Sequence, residues 1–338
     1  IIEAVYRDNE GNTHTNSTRD ITVSGYVEGT WLSDSTYTVT GDVYVNYDDT
    51  LTIEPGVMVK FNGDYGLHIY GSLFANGAAG DSIIFEPYDM AFTYDGMWDG
   101  IKIRYSSSYA PTKVELSYFR TSYGGTNSWP NGAVVVYDRK ADTDGIDSVT
   151  VSHGEIHNSS SYGVWIYSND GNATDGNVYV SMGNLLVHHN NYEAFYITQN
   201  HWTDVALDSL NIHNNTNDGM YFGYNYNNSI FTVDSARIVD NGSNGVRFSR
   251  LESGSSLEIE NADIHDNDNI EVYVGYFQVG SGSDISVTKS KLYDDDGNWI
   301  VYAGYCCYSE MAGYNTDFRQ NDWGATVTAE MNTGTNPQ

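Results

Sequence analysis

The chain has 338 residues, 40% of them hydrophobic, with 34 Gly and 5 Pro, so it can bury a substantial core and is neither collagen-like nor disordered in composition. Acidic residues outnumber basic ones 45 to 15, for a formal net charge of -30, which repels phosphate backbones and argues against nucleic acid as a partner. No run approaches the roughly 20 apolar residues that cross a bilayer, so no membrane span is expected.

Residues 1–28 follow no repeat. Alternating Ile2, Ala4 and Tyr6, a polar Asp8-Asn9-Glu10-Gly11-Asn12 run and Ile21-Thr22-Val23 read as an N-terminal β cap or the end of a preceding small β domain. From Gly29-Thr30-Trp31 onward, short β-type segments alternate with Gly-containing turns, as in Leu51-Thr52-Ile53-Glu54-Pro55-Gly56, Gly71-Ser72-Leu73-Phe74-Ala75, Ile83-Ile84-Phe85 and Trp98-Asp99-Gly100-Ile101.

A repeat becomes plain at Val149. Two apolar residues flank one variable residue in Val149/Val151, Val178/Val180, Val205/Leu207, Phe231/Val233, Leu257/Ile259 and Ile285/Val287, the period of two that a strand with one buried face requires. Aliphatic markers follow at Ile156, Val187, Ile212, Ile238, Ile264 and Leu292, separated by 31, 25, 26, 26 and 28 residues. Three short strands in such a length make one triangular coil. Asn190, Asn215, Asn241 and Asn267 recur in the turn after the second strand, with Ser159 and Asp295 at the same place in the outer repeats, predicting a hydrogen-bonded ladder. Gly163, Gly219 and Gly245 precede the third strand, where a positive φ or a close backbone approach calls for glycine.

These features resemble the right-handed parallel β-helix superfamily, which includes pectate lyases, phage tailspikes and many surface adhesins; residues 29–104 look most like the opening of secreted and cell-surface β-helix proteins of bacteria and archaea. The resemblance implies an all-β solenoid of roughly ten three-strand coils over residues 29–324, followed by a C-terminal tail at 325–338 that reads as truncated. It implies a secreted or cell-surface location and specifies coil geometry rather than chemistry.

In the third strand of successive repeats, the residue between two buried positions is Trp165, Tyr196, Tyr221, Arg247 and Tyr273. Alternation puts these on one exposed face about 19 Å long, given coils about 4.8 Å apart, which suits several sugar rings or a self-association surface. The competing account is that the rings stack only to stabilise neighbouring rungs. Arg237, Arg247 and Arg250 form the candidate basic cluster for an acidic sugar, against simple charge balance on an acidic coil. The histidines His157, His188, His213 and His265 make a second column, read as stacking rather than metal binding.

Catalytic chemistry is less legible. The chain does not carry the polygalacturonase set of Asn-Thr-Asp, Asp-Asp, Gly-His-Gly and Arg-Ile-Lys together, since Gly-His-Gly and Arg-Ile-Lys are missing. Asp294-Asp295-Asp296-Gly297 and Asp142-Thr143-Asp144-Gly145 resemble fragments of calcium loops, but Leu292 and Lys140 stand where an acidic ligand belongs. No cofactor is required, and calcium at Asp294, Asp295 and Asp296 is weighed against solvated turn aspartates. Cys306 and Cys307 are adjacent, leaving a vicinal disulfide, free thiols and an intermolecular link open. The expected function is a secreted or cell-surface structural and adhesive module that displays an aromatic face to glycans or to its own copies. The alternatives are a polysaccharide lyase or glycoside hydrolase and a filament subunit, with the enzyme reading disfavoured.

Overall fold

The computed structural model describes residues 5–7, 13–15, 19–33, 35–92, 97–104, 113–126, 129–138, 148–168, 178–251, 254–274, 283–294, 299–303 and 315–323. Among them, 28 strands form one sheet wound into a solenoid, and the named strands in it pair in parallel with strands one coil away. A separate hairpin pairs Val5–Arg7 antiparallel to Thr13–Thr15.

Each coil has three faces. Thr50–Ile53, Ser72–Asn76, Ile230–Asp234 and Ser256–Glu260 belong to the first, and Met58–Phe61, Ile83–Pro87, Arg237–Val239 and Asp263–His265 to the second. The third holds Gly66–Ile69, Gly100–Arg104, Gly132–Asp138, Tyr162–Ser168, Phe195–Ile197, Met220–Tyr226, Val246–Leu251, Ile270–Val274 and Trp299–Ala303. Winding begins earlier than the sequence pattern indicates. Arg19–Tyr26 already lies parallel to Ser35–Val45, within the stretch expected to form a separate cap.

The first and second faces are often one continuous strand bent at a corner. In Lys113–Ser122, Ser148–His157, Val178–His188 and Thr203–His213 the bend falls at Tyr118, His153, Asn184 and Ser209, with φ of 47°, 52°, 53° and 53°. A second column of left-handed residues, Asn158, His189, Asn214, Asp240 and Asp266, closes the second face. Single left-handed residues turn the chain without adding a loop, and Asn and Asp tolerate that region best among residues with a Cβ.

The inward residues make one continuous core. Val149 and Val151 lie against Val180 and Met182, which lie against Val205 and Leu207, all nearly inaccessible. Burying each such side chain contributes roughly 1.5–3 kcal/mol relative to leaving it exposed.

The asparagine ladder forms as expected. The N–H and Nδ2 of Asn190 donate to Oδ1 of Asn215, those of Asn215 to Asn241, and those of Asn241 to Asn267, with Nδ2···Oδ1 distances of 2.8, 2.9 and 2.8 Å. Ser159 receives the upper end through its N–H to Oδ1 of Asn190. Asp295 lies outside the described residues. The glycines are required by close approach and not by a left-handed backbone: a Cβ on Gly219 would sit 2.5 Å from Ile238 Cγ2 and 2.7 Å from the Gly245 carbonyl oxygen.

Candidate functional site

The third face carries an outward column in strict register. Trp165 pairs with Tyr196, Tyr196 with Tyr221, Tyr221 with Arg247, Arg247 with Tyr273 and Tyr273 with Tyr302. Because register stacks residues one coil apart, the tyrosine rings meet face to face, whereas Trp165 meets Tyr196 edge-on at 5.7 Å. Tyr196 and Tyr221 lie 5.2 Å apart at 22°, and Tyr273 and Tyr302 lie 5.3 Å apart at 16°. The Arg247 guanidinium fills the gap between them, 5.1 Å from the Tyr221 ring and 5.6 Å from that of Tyr273. Cation–π attraction makes it a member of the stack.

Trp165 departs from the expectation of an exposed stripe. It is only 5% exposed and packs with Val135, Tyr137 and Tyr167 in a small apolar cluster outside the main core. Trp129 meets it edge-on at 6.1 Å, and Tyr162 closes over it at 5.6 Å. Tyr196, Tyr221, Arg247 and Tyr273 stay half-buried and reach solvent. Tyr162 extends the accessible run upward by stacking on Tyr196 at 4.3 Å and 16°.

The basic cluster is divided. Arg250, opposite Tyr224 in register, lies over the rings of Tyr224 and Tyr226 at 5.7 and 5.9 Å, on the same face as Arg247. Arg237 belongs to the second face, between Asn211 and Asp263, and does not join them.

Two carboxylates border the stripe that the sequence pattern did not single out. Asp218 precedes Met220–Tyr226, and Glu193 occupies the matching place one coil earlier: the Ala194 N–H donates to the Asp218 carbonyl at 3.3 Å, and the Gly163 N–H to that of Glu193 at 3.1 Å. Asp218 is almost wholly buried, accepts from the N–H and Nδ2 of Asn244 and lies 3.8 Å from Arg247 Nη1. Burial pushes the Glu193 carboxyl up to about 7, reinforced by the charge of Asp218 and only partly opposed by Asn217 and Arg247. Burial likewise pushes Tyr196 up to about 12 and raises Tyr162 further. The signal for Glu193 was its coil position beside the tyrosine column, legible only once the register is known.

Toward the N-terminus the same column continues as Tyr44, His68 and Lys102. Here it closes over: Lys102 is inaccessible, with Nζ 2.5 Å from Asp99 Oδ1, and the Thr126 hydroxyl donates to the same oxygen at 3.1 Å. His68 stacks on Tyr44 at 5.0 Å and faces Asp42 at 3.5 Å. Burial lowers the affinity of both His68 and Lys102 for a proton. With His68 only 5% exposed and Lys102 inaccessible, this cluster ties three coils together.

The histidine column is a stack: His157 and His188, then His188 and His213, each lie 5.1 Å apart at 3° and 8°. Among the described residues no group of three or more His, Cys, Asp or Glu is arranged to hold a metal ion. Of the calcium candidates, Asp294 sits half-buried after Lys291–Tyr293, while Asp295, Asp296 and the 142–145 cluster lie outside the described residues, as do Cys306 and Cys307. A shallow concavity of about 390 Å³ lies on the first face among Thr150, Tyr179, Ser181, Asp204, Ala206 and Ile230, away from the stripe.

A parallel coil with an internal asparagine ladder and an outward aromatic column defines a single-solenoid β-helix protein. The right handed beta helix region family matches residues 132–323, more than half of the chain, and the protein belongs to it. No curated protein matches the chain. Its fold is similar to the A-module of Azotobacter vinelandii mannuronan C-5 epimerase AlgE6, at 14% identity and a TM-score of 0.45 over 90% of this chain and 89% of that one. It is also similar to the periplasmic alginate epimerase AlgG, at 13% identity and a TM-score of 0.36 over 90% and 85%. The enzymatically active domain of the bacteriophage CBA120 tailspike protein 2 matches at 12% identity and a TM-score of 0.35, over 91% of this chain and 42% of that one.

Proposed function

We propose that this protein is a secreted or cell-surface β-helix that recognises an acidic polysaccharide along its third face. The observation that carries the reading is the run of stacked, solvent-reaching groups Tyr162, Tyr196, Tyr221, Arg247, Tyr273 and Tyr302. Sugar rings present flat apolar faces that pack on aromatic rings, and a linear chain matches a linear column. Arg247 supplies the charge preference: its guanidinium is held in the stack while its side chain stays 43% exposed. Arginine pairs with carboxylates in a planar, directional way, which suits a sugar carboxylate at the exposed end of the side chain. A chain of net charge -30 presenting cations here, between tyrosines, supports a local anion site in place of general attraction.

The test is retention of the purified protein on insoluble polygalacturonate and alginate, with cellulose as the neutral control. The reading expects retention on at least one acidic polymer, absent on cellulose and lost in a Tyr196→Ala, Tyr221→Ala, Tyr273→Ala variant whose circular dichroism is unchanged. Equal retention of that folded variant would remove the stripe from the function.

A further inference from the structure

The outward column of the third face changes character at one coil. Over the four coils that pair His68 with Lys102, Lys102 with Val135 and Val135 with Trp165, no outward residue is more than 5% exposed. From Tyr196 onward every outward residue reaches solvent, and exposure climbs to 39% at Tyr302. Trp129 makes the boundary. The connection from the second face to the third is longer in its coil, 123–131 between Lys113–Ser122 and Gly132–Asp138, than at 189–194 or 214–219 later in the chain. That length carries the indole across the outward side, 4.9, 6.1 and 6.3 Å from the rings of Tyr137, Trp165 and Tyr167, which it crosses at 84°, 80° and 82°. Trp129 is 54% exposed while Trp165, beneath it, is 5% exposed, so the floor of the column rises by one side chain at this coil.

A step of this kind decides how a linear polymer can lie. Open rungs stand about 4.8 Å apart, close to the repeat of a pyranose chain, so Tyr196 to Tyr302 takes about four or five sugar residues. A chain seated on those rings cannot continue over Trp165 without lifting off the floor and losing contacts it has made. A chain whose end meets Trp129 keeps them all and packs its last ring against the exposed indole. Swinging the indole aside would bare the apolar cluster of Val135, Tyr137, Trp165 and Tyr167, which holds the step in place.

We infer that Trp129 is a stop at one end of the glycan track, so that the protein takes the end of a polysaccharide chain and not its interior. This rests on the glycan reading above and adds an end specificity to it. The stop has a consequence that mass action makes measurable. On a track open at both ends, a longer chain can sit in more registers, and its molar affinity climbs in proportion to its length. Against a stop, each chain has one productive register whatever its length. Molar affinity then rises only until the rungs are filled and is flat beyond, while affinity per gram falls because ends become scarcer.

The experiment titrates the full chain with size-fractionated oligogalacturonates and oligoalginates, from dimers to long polymers, in a calorimeter. The expected result is a molar affinity that rises up to about five residues and then agrees within about twofold between chains of about eight and about eighty residues, where an open track gives about tenfold. Trp129→Ala, checked for an unchanged thermal transition, should restore the rise with length. A saturating octamer should also slow the oxidation of Trp129 by an indole-directed reagent, mapped by peptide mass, which needs no variant. A wild-type affinity that climbs about tenfold over that range overturns the stop and leaves the binding proposal standing. A folded Trp129→Ala variant with the wild-type profile, or oxidation of Trp129 unchanged by the octamer, overturns its assignment to Trp129. Absence of binding to every acidic oligomer and polymer overturns the binding proposal itself.

Discussion

Glu271 terminates the asparagine ladder by accepting both donors of Asn267, the N–H on Oε1 at 3.1 Å and Nδ2 on Oε2. The ladder passes its donors in one direction, so its last member needs an acceptor, and a fully buried carboxyl serves.

That arrangement gives stability a pH dependence. Burial pushes the Glu271 carboxyl from its ordinary 4.5 up to about 8, aided by the charges of Asp294 and Asp266 and opposed by its bonds to Asn267. Between those values the folded chain holds a proton that the unfolded chain has lost, so stability falls as pH rises across the window and levels off above it. Glu193 acts in the same direction but its window closes near 7. Urea midpoints between pH 7 and 8 therefore isolate Glu271. Glu271→Gln should be less stable than wild type at pH 5, because its amide N–H2 faces Asn267 Nδ2, with a deficit that shrinks toward pH 8; parallel curves would contradict this.

The histidine stack acts from the acid side. Burial lowers the pKa of His188, helped by the neighbouring His157, His213 and His189 and opposed by Glu155. The unfolded imidazole gains its proton near 6.5 while the folded one resists, so this contribution is intact above 6.5 and is lost as pH falls below it. His188→Phe keeps the stacked ring without the charge. Its stability relative to wild type should improve as pH is lowered from 7 to 5, read from thermal midpoints.

Asn215 bonds to both neighbouring rungs of the ladder and to two carbonyls besides. Its Oδ1 accepts twice from Asn190, and its Nδ2 lies within reach of the Val187 and His213 carbonyls and of Asn241 Oδ1. Asn215→Ala leaves buried groups without partners and should cost about 2–4 kcal/mol in denaturant unfolding. A loss below about 1 kcal/mol would mean that the ladder adds little beyond packing.

Glycine spacing separates contact from conformation. Gly219→Ala brings a Cβ within 2.5 Å of Ile238 Cγ2 and should destabilise by about 1–3 kcal/mol. Gly183→Ala, whose nearest neighbour is the Asp208 carbonyl oxygen at 3.4 Å, should be neutral within about 0.5 kcal/mol. Equal thermal midpoints for the two variants would refute the close-approach account.

Arg247 should set the salt response of binding. Arg247→Leu is expected to lower retention on an acidic polymer about tenfold at low salt and to flatten its decline with added salt, since a partly exposed charge pair is screened. Tyr221→Ala should weaken retention at every salt concentration to a similar degree. An unchanged salt response in Arg247→Leu would assign charge recognition elsewhere.

The sequence by itself determined the coil. Alternating apolar pairs, the 25- to 31-residue spacing of Ile156 through Leu292, and Asn190, Asn215, Asn241 and Asn267 fixed which residues point inward and which stack, because strand alternation and coil length are local properties of the chain. It also placed Tyr196, Tyr221, Arg247 and Tyr273 in one outward column, as the register bears out. The parallel winding at Arg19–Tyr26 was hidden because it pairs through a register shift between Val23 and Gly25, which breaks the spacing a repeat needs. Only the tertiary structure decided that Trp165 is covered while Tyr196 stays half-buried, since exposure depends on Trp129 and Tyr162 folding over the same strand face. It also decided that Glu193, Asp218 and Arg247, each unremarkable in its own segment, share one edge. Charge and desolvation act through space, and the distance that governs them is the rise between coils, not the separation along the chain.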